Sequence, residues 1–308
     1  MNLAVTLPGQ SFDLHLKNPI LTASGTFGYG REFAPFGDLN ALGGFIVKGL
    51  SLTPRPGNPY PRIVETTAGM LNAIGLQNDG VEHFCEQILP EIATYSTAII
   101  ANIYGCTVEE FFELASRLNS EPKISALEIN ISCPNVQHGG VLFGQNPKMA
   151  AEVTAAVRRG APDKHIIVKL SPNVTSIVEI AQSVEGAGAD SISCINTLLG
   201  LSVDLKTRRP SLANIVGGLS GPAIKPVALR AVWQVAKNVK IPVIGIGGIT
   251  NAYDVLEFIL VGAKAVQIGT ANFINPSTAF DIVRTLPKVC QELGITSLDD
   301  FCGSLSVN

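Results

Sequence analysis

The chain has 308 residues, of which 46% are hydrophobic and 15% charged, with 22 Lys and Arg against 25 Asp and Glu for a formal net charge of −3. That length fits one domain, spanning 1–308, of a repeating strand–helix architecture with a large buried core, and it excludes a disordered chain. The absence of a basic run excludes nucleic acid as a partner, and no apolar stretch reaches the ~18–20 residues of a membrane span, so a soluble cytoplasmic protein is expected.

The opening segment LAVTLPGQSFDLHL carries two alternating runs on either side of Pro8 and Gly9, the pattern of a β-hairpin placed to close the bottom of the fold. Behind it, short runs rich in β-branched residues recur to the end of the chain. They predict strands over 19–24, 44–48, 98–103, 127–132, 166–170, 191–196, 243–247 and 265–269. Most are apolar throughout, as in IIVKL and PVIGIGG, which suits parallel strands covered on both faces. Helical periodicity fills the intervals. Over 107–118, for example, Thr107 and Glu110 have the spacing of a capping box, in which the side chains satisfy free amides of the first turn. Eight such alternations point to an α/β fold, a closed (β/α)8 barrel, rather than to an open doubly wound sheet. Two connections, 50–78 and 198–221, are too long for turns. Both follow the carboxyl end of a strand, where a lid, a subunit contact or a plain solvent-exposed insertion would stand.

Closing eight strands into a barrel brings their last residues onto one rim, and these residues are polar for positions that end apolar runs. They are Ser24 and Gly25, Lys48 and Gly49, Asn102, Asn130 with Cys133, Lys169, Asn196 with Thr197, Gly247 and Gly248, and Gly269 and Thr270. A lone lysine there is usually solvated and a lone asparagine is usually a turn former. Two lysines and three asparagines converging on one rim instead suit an anionic, planar ligand that forms hydrogen bonds. Each lysine interrupts an apolar strand, so burial of its ammonium calls for an anion beside it. The glycine pairs after the seventh and eighth strands lie where barrels of this kind hold phosphate on exposed backbone amides. GIGGIT at 245–250 lacks the last glycine of a dinucleotide fingerprint and the acidic residue about 20 positions on, so it reads as a phosphate loop and not as a Rossmann turn.

The six cysteines, at 85, 106, 133, 194, 290 and 302, contain no C-x-x-C pair, which argues against a metal cluster, and free thiols are expected. A free cysteine is more often a small buried apolar residue than a catalyst. Cys133, just past a strand in Ser132–Cys133–Pro134–Asn135, is the one placed to act as a base through its thiolate. The histidines, at 15, 83, 138 and 165, fall outside the rim, so a hydrolytic triad is not indicated.

Five segments, NPILTASGTFGYGREF (18–33), GGFIVKGLSLTPRPGNPYPRIVETTAGMLNAIGLQN (43–78), INISCPNV (129–136), INTLLG (195–200) and GGLSGPAIKP (217–226), carry a resemblance nearly from end to end. The chain resembles the dihydroorotate dehydrogenases, in particular the catalytic subunit of the NAD-linked two-subunit branch. The resemblance implies oxidation of dihydroorotate to orotate. FMN would touch Ala23, Ser24, Gly25, Lys48, Gly49, Asn102, Asn130, Lys169, Ile195, Gly221, Gly247, Gly248, Gly269 and Thr270, with Lys169 near the ring edge that becomes negative on reduction. Orotate would be held by Lys48, Asn72, Ala73, Ile74, Gly75, Leu76, Asn130, Asn196 and Thr197, with Cys133 as general base and no metal. A partner subunit bearing FAD and a 2Fe–2S cluster, two of each chain in a heterotetramer, would carry electrons to NAD. Cys133 separates the chain from the quinone-linked membrane branch, which has serine at that position. Gln137 stands where many relatives have lysine. The alternatives are the fumarate-linked homodimeric branch, which also uses cysteine, and a non-redox phosphate-binding barrel, which would be colourless.

Overall fold

In the computed structural model, residues 1–132 and 143–307 are described. Eight parallel strands close into a barrel: β1 (Ile20–Thr22), β2 (Gly44–Ile46), β3 (Ala98–Ile103), β4 (Ile124–Asn130), β5 (His165–Leu170), β6 (Ser191–Cys194), β7 (Val243–Ile246) and β8 (Ala263–Ile268). Each pairs with the next, and β8 returns to β1 through Val266 opposite Ile20. The fold is the expected (β/α)8 barrel. Three strands start earlier than the sequence pattern suggests: β4 at Ile124, β5 at His165 and β8 at Ala263, because Ile124, Ala126, His165 and Ala263 are themselves buried.

The outer layer contains α1 (Val108–Asn119), α2 (Pro147–Gly160), α3 (Ile177–Gly186), α4 (Lys225–Ala236), α5 (Ala252–Leu260) and α6 (Thr278–Glu292). Side chains that compete with backbone for hydrogen bonds start several of them. Thr107 Oγ1 accepts the Glu110 amide at 3.1 Å, and Asn146, Ser176 and Asn251 cap α2, α3 and α5 in the same way. At α1 the Glu110 carboxylate reaches back to the Cys106 amide rather than to that of Thr107, so the capping box is shifted by one residue.

Period-two alternation along the strands sorts side chains between the helix layer and the barrel interior. The lower interior is mostly apolar, with Leu21, Ile46, Ile100, Ala126, Ile167, Ile244 and Ala265 in one cluster and the hydrogen-bonded pair His165 and Ser191 on the same face. It is sealed from below by the expected hairpin, Val5–Leu7 against Leu14–Leu16, whose Leu7, Leu14 and Leu16 join that cluster. One step higher on the same strands stand Asn102, Glu128, Lys169 and Gln267, so the interior turns polar toward the carboxyl ends.

The two long connections pair with one another. Ile63–Thr66 and Gly69–Asn72 from the first, and Leu198–Leu201 and Val216–Ser220 from the second, form a four-stranded antiparallel sheet over the carboxyl end of the barrel. From sequence alone both are long loops. These strands are short, three of the four contain glycine, and their register is set across the barrel, with Gly218 opposite Asn72, so the sequence pattern does not pair them. No helix among the described residues is long and apolar enough to cross a membrane.

Candidate active site

Above the polar layer lies a cavity of about 600 Å³, well within the range of small-molecule sites. Every rim residue singled out from the sequence and described by the structure lines it. Ala23, Ser24 and Gly25 follow β1, and Lys48 and Gly49 follow β2. Asn102, Asn130 and Lys169 lie on β3, β4 and β5, and Ile195, Asn196 and Thr197 follow β6. Gly247 and Gly248 follow β7, and Gly269 and Thr270 follow β8. The overlying sheet adds Asn72, with Gly221 just past its last strand and Ala73, Ile74, Gly75 and Leu76 on the returning chain. Cys133 and Gln137 lie outside the described residues; Ser132 and Gly144, at either end of that stretch, line the cavity.

The two lysines differ in their surroundings. Lys169 is 5% exposed, with Nζ 3.6 Å from Glu128 Oε1 and 3.5 Å from Ser24 Oγ, so its anion is already present in the protein. Lys48 is half-buried and enters no ion pair among the described residues. Burial pushes its ammonium below the ordinary lysine range, Asp79 partly offsets this, and Arg62 adds to it. An anionic group entering the cavity would find Lys48 uncompensated.

The asparagines form a connected set. Asn130 Oδ1 accepts the Ser132 amide at 3.2 Å and Asn196 Nδ2 at 3.4 Å, and Asn196 Oδ1 accepts the Thr197 amide at 2.9 Å. Asn102 donates through Nδ2 to Glu128 Oε1 at 2.8 Å, which leaves its own Oδ1 buried in the cavity wall with no partner. A buried acceptor in that state is satisfied when a donor is brought to it. On the β7 side, Gly248 has φ +72°, and a Cβ there would stand 2.8 Å from Lys225 Cβ and 2.9 Å from the Gly221 carbonyl. Only glycine leaves this backbone open. Across from it, Thr270 Oγ1 donates to Ser220 Oγ at 2.7 Å and ties the β8 loop to the overlying sheet.

Several lining residues escaped the sequence reading. Arg62, Met70, Gly217, Gly218 and Ser220 belong to the unforeseen sheet or lie beside it. Asn173, whose Nδ2 donates to the Thr197 carbonyl at 2.9 Å and whose Oδ1 accepts the Leu199 amide at 3.1 Å, fastens the β5 loop to the β6 loop. Its position just past an apolar strand was a usable signal. Among the described residues all five cysteines are free. Burial pushes the Cys194 and Cys290 thiols up, and it pushes Cys85 up to about 12, so these are poor sources of thiolate.

This combination places the chain in the class of (β/α)8 barrels whose ligand cavity opens at the carboxyl ends of the strands, with glycine immediately after each of the last two. A family model described as dihydroorotate dehydrogenase matches residues 3–290, and the chain belongs to that family. It is 61% identical over 307 residues, covering 100% of this chain and 99% of the relative, to a protein of Solidesulfovibrio magneticus named dihydroorotate dehydrogenase B (NAD(+)), catalytic subunit. Proteins of the same name from Trichlorobacter lovleyi and Geobacter sulfurreducens are 59% identical over 292 residues and 56% identical over 306. The alignments cover 95% of this chain and 96% of the relative in the first case, and 99% of each in the second.

Proposed function

We propose that the chain oxidises dihydroorotate to orotate in pyrimidine biosynthesis, holding FMN in the barrel cavity and sending electrons to NAD through a partner subunit. The observation that carries this reading is the donor and acceptor set of the cavity: an uncompensated ammonium at Lys48, a compensated one at Lys169, and the orphaned acceptor of Asn102. The flavin ring and the pyrimidine ring of dihydroorotate both contain an imide, with carbonyl acceptors and an N–H donor, and dihydroorotate and orotate both carry a carboxylate. The names of the relatives supply the substrate and the NAD acceptor, and the words "catalytic subunit" presuppose a second chain.

The residues fit FMN. The open backbone at Gly247, Gly248, Gly269 and Thr270 suits its phosphate, and Ala23, Ser24, Gly25, Gly49, Asn102, Asn130, Lys169, Ile195 and Gly221 would complete its wall. When bound, FMN supplies the acceptor for the hydride that leaves one ring carbon of dihydroorotate. Cys133, outside the described residues, is assigned the proton of the neighbouring carbon, taken by its thiolate. Loss of one proton and one hydride converts dihydroorotate to orotate. Lys48 holds the substrate carboxylate, while Asn72, Asn130, Asn196 and Thr197, with the backbone of Ala73, Ile74, Gly75 and Leu76, orient the ring. Lys169 places a fixed cation where charge develops on reduction, so no reorganisation is needed at the moment of transfer.

Electrons must then leave the chain, because its sequence has neither a Rossmann turn nor a cysteine cluster. A partner with FAD and a 2Fe–2S cluster, arranged two plus two with this chain, fills that gap. The test is the visible spectrum of the purified protein: flavin absorbance that bleaches anaerobically with dihydroorotate is expected, and a colourless protein overturns the reading. Steady-state NADH formation should be negligible until the partner is added. Fast NAD reduction by the chain alone refutes the electron route, and efficient fumarate reduction assigns the chain to the homodimeric branch.

A further inference from the structure

Glu128 sits on the inner face of β4 with no solvent exposure, in the same layer as Asn102 and Lys169 but not itself lining the cavity. It is the carboxylate beside Lys169, at 3.6 Å. Its remaining contacts are all donors from other strands: Asn102 Nδ2 at 2.8 Å, Ser193 Oγ at 2.9 Å and Gln267 Nε2 at 2.6 Å. Two amides, a hydroxyl and an ammonium facing one group make a setting for a carboxylate. The layer below is mostly apolar, so the carboxylate and its ring of donors stand between a largely hydrocarbon layer and the ligand cavity.

Such a network is a poor source of stability, because buried ion pairs roughly break even against well-packed apolar side chains. Its effect is felt where the dielectric is low and the charge is near, which is in the cavity above. Two of the residues that contact Glu128, Asn102 and Lys169, are cavity-wall residues. Lys169 is therefore not a free cation under the ligand. It is the positive end of a neutral pair.

We propose that Glu128 is a positioning residue that acts through Lys169 and Asn102: it aims both into the cavity, and its charge lowers the net positive field at the flavin, setting the reduction potential below that of a lone lysine. This rests on the FMN reading above. The two fail differently: a wild-type protein without flavin absorbance fails that reading, whereas a flavin-bearing protein whose potential ignores Glu128 fails this one alone.

The experiment is the flavin midpoint potential, by anaerobic redox titration of the FMN-loaded chain, in the wild type, E128Q and K169M. Removing the negative charge should favour the anionic reduced flavin. In E128Q the ratio of reduced to oxidised flavin at a fixed potential should rise by about tenfold or more, which is about 30 mV for a two-electron couple. K169M, which leaves Glu128 uncompensated, should move the potential in the opposite direction. A purely structural role predicts altered stability with shifts absent or of one sign. E128Q can be accommodated, since Gln267 Oε1 is without a partner and that amide can turn its oxygen to the new side chain. Should E128Q lose FMN, the double variant E128Q/K169M measured against K169M reads the same charge, and the same rise is expected. An unchanged or lowered potential on removing Glu128, in either background, overturns the proposal.

Discussion

Replacing Lys48 with Ala should separate ligand binding from stability. The ammonium is half-buried, has no ion-pair partner among the described residues, and lies below the ordinary lysine range chiefly because of burial. In the empty protein it therefore opposes folding, and the Lys48→Ala variant should be as stable as the wild type or more so. A bound orotate carboxylate reverses the balance. Removing a charge-assisted hydrogen bond costs about 1.5–3 kcal/mol, which at about 1.4 kcal/mol per decade weakens orotate binding by between about tenfold and about 150-fold. The pH dependence has a definite sign. For a lysine whose folded-state value is lowered, the penalty is fully present below that value and is relieved as pH rises toward the unfolded value of about 10.4. Wild-type stability relative to Lys48→Ala should then rise across that window, while wild-type orotate affinity falls through it. Chemical denaturation of the apoprotein and orotate titration of the flavin spectrum, each over a pH series, measure the two. Unimpaired orotate affinity in Lys48→Ala, or a clear loss of apoprotein stability, would refute the reasoning.

Three further outcomes follow from the geometry. Gly248→Ala forces a side chain into a left-handed conformation, at about 1–2 kcal/mol, against Lys225 and the Gly221 carbonyl, so FMN should be bound roughly tenfold or more weakly; wild-type affinity by flavin fluorescence titration would remove this loop from the cofactor wall. Cys133→Ala should keep FMN yet slow its reduction by dihydroorotate by about two or more orders of magnitude, and wild-type reduction should accelerate as pH rises through the thiol's ionisation; stopped-flow traces that match the wild type, or a flat pH profile, would exclude the thiolate. Leu14→Ala opens a hole where the hairpin plugs the barrel and should lower unfolding free energy by about 2–5 kcal/mol, leaving the flavin spectrum of the folded protein intact; a loss under about 1 kcal/mol in urea unfolding would show that the hairpin is not part of the core.

Much of this arrangement was legible in the sequence because a barrel converts local pattern into position. A run such as IIVKL is buried along its whole length and carries a polar residue, Lys169, next to its end, and closure puts every such end on the same rim. Lys48, Asn102, Asn130, Lys169 and the glycine pairs could thus be assembled as a candidate site without knowing which strand neighbours which. The hairpin around Pro8 and Gly9 was equally local, a turn signal between alternating runs.

What only the tertiary structure decided is lateral. Glu128 breaks an apolar strand and might have been marked for that alone, but its meaning lies in Asn102, Lys169, Ser193 and Gln267, brought to it from four other strands. The overlying sheet pairs Asn72 with Gly218, residues 146 positions apart, in short segments that the sequence pattern does not pair. Side-chain periodicity tells which way a residue faces and how far along its strand it stands. Which groups then meet across the interior is set by strand register and by the closure of the barrel, and those depend on every strand at once.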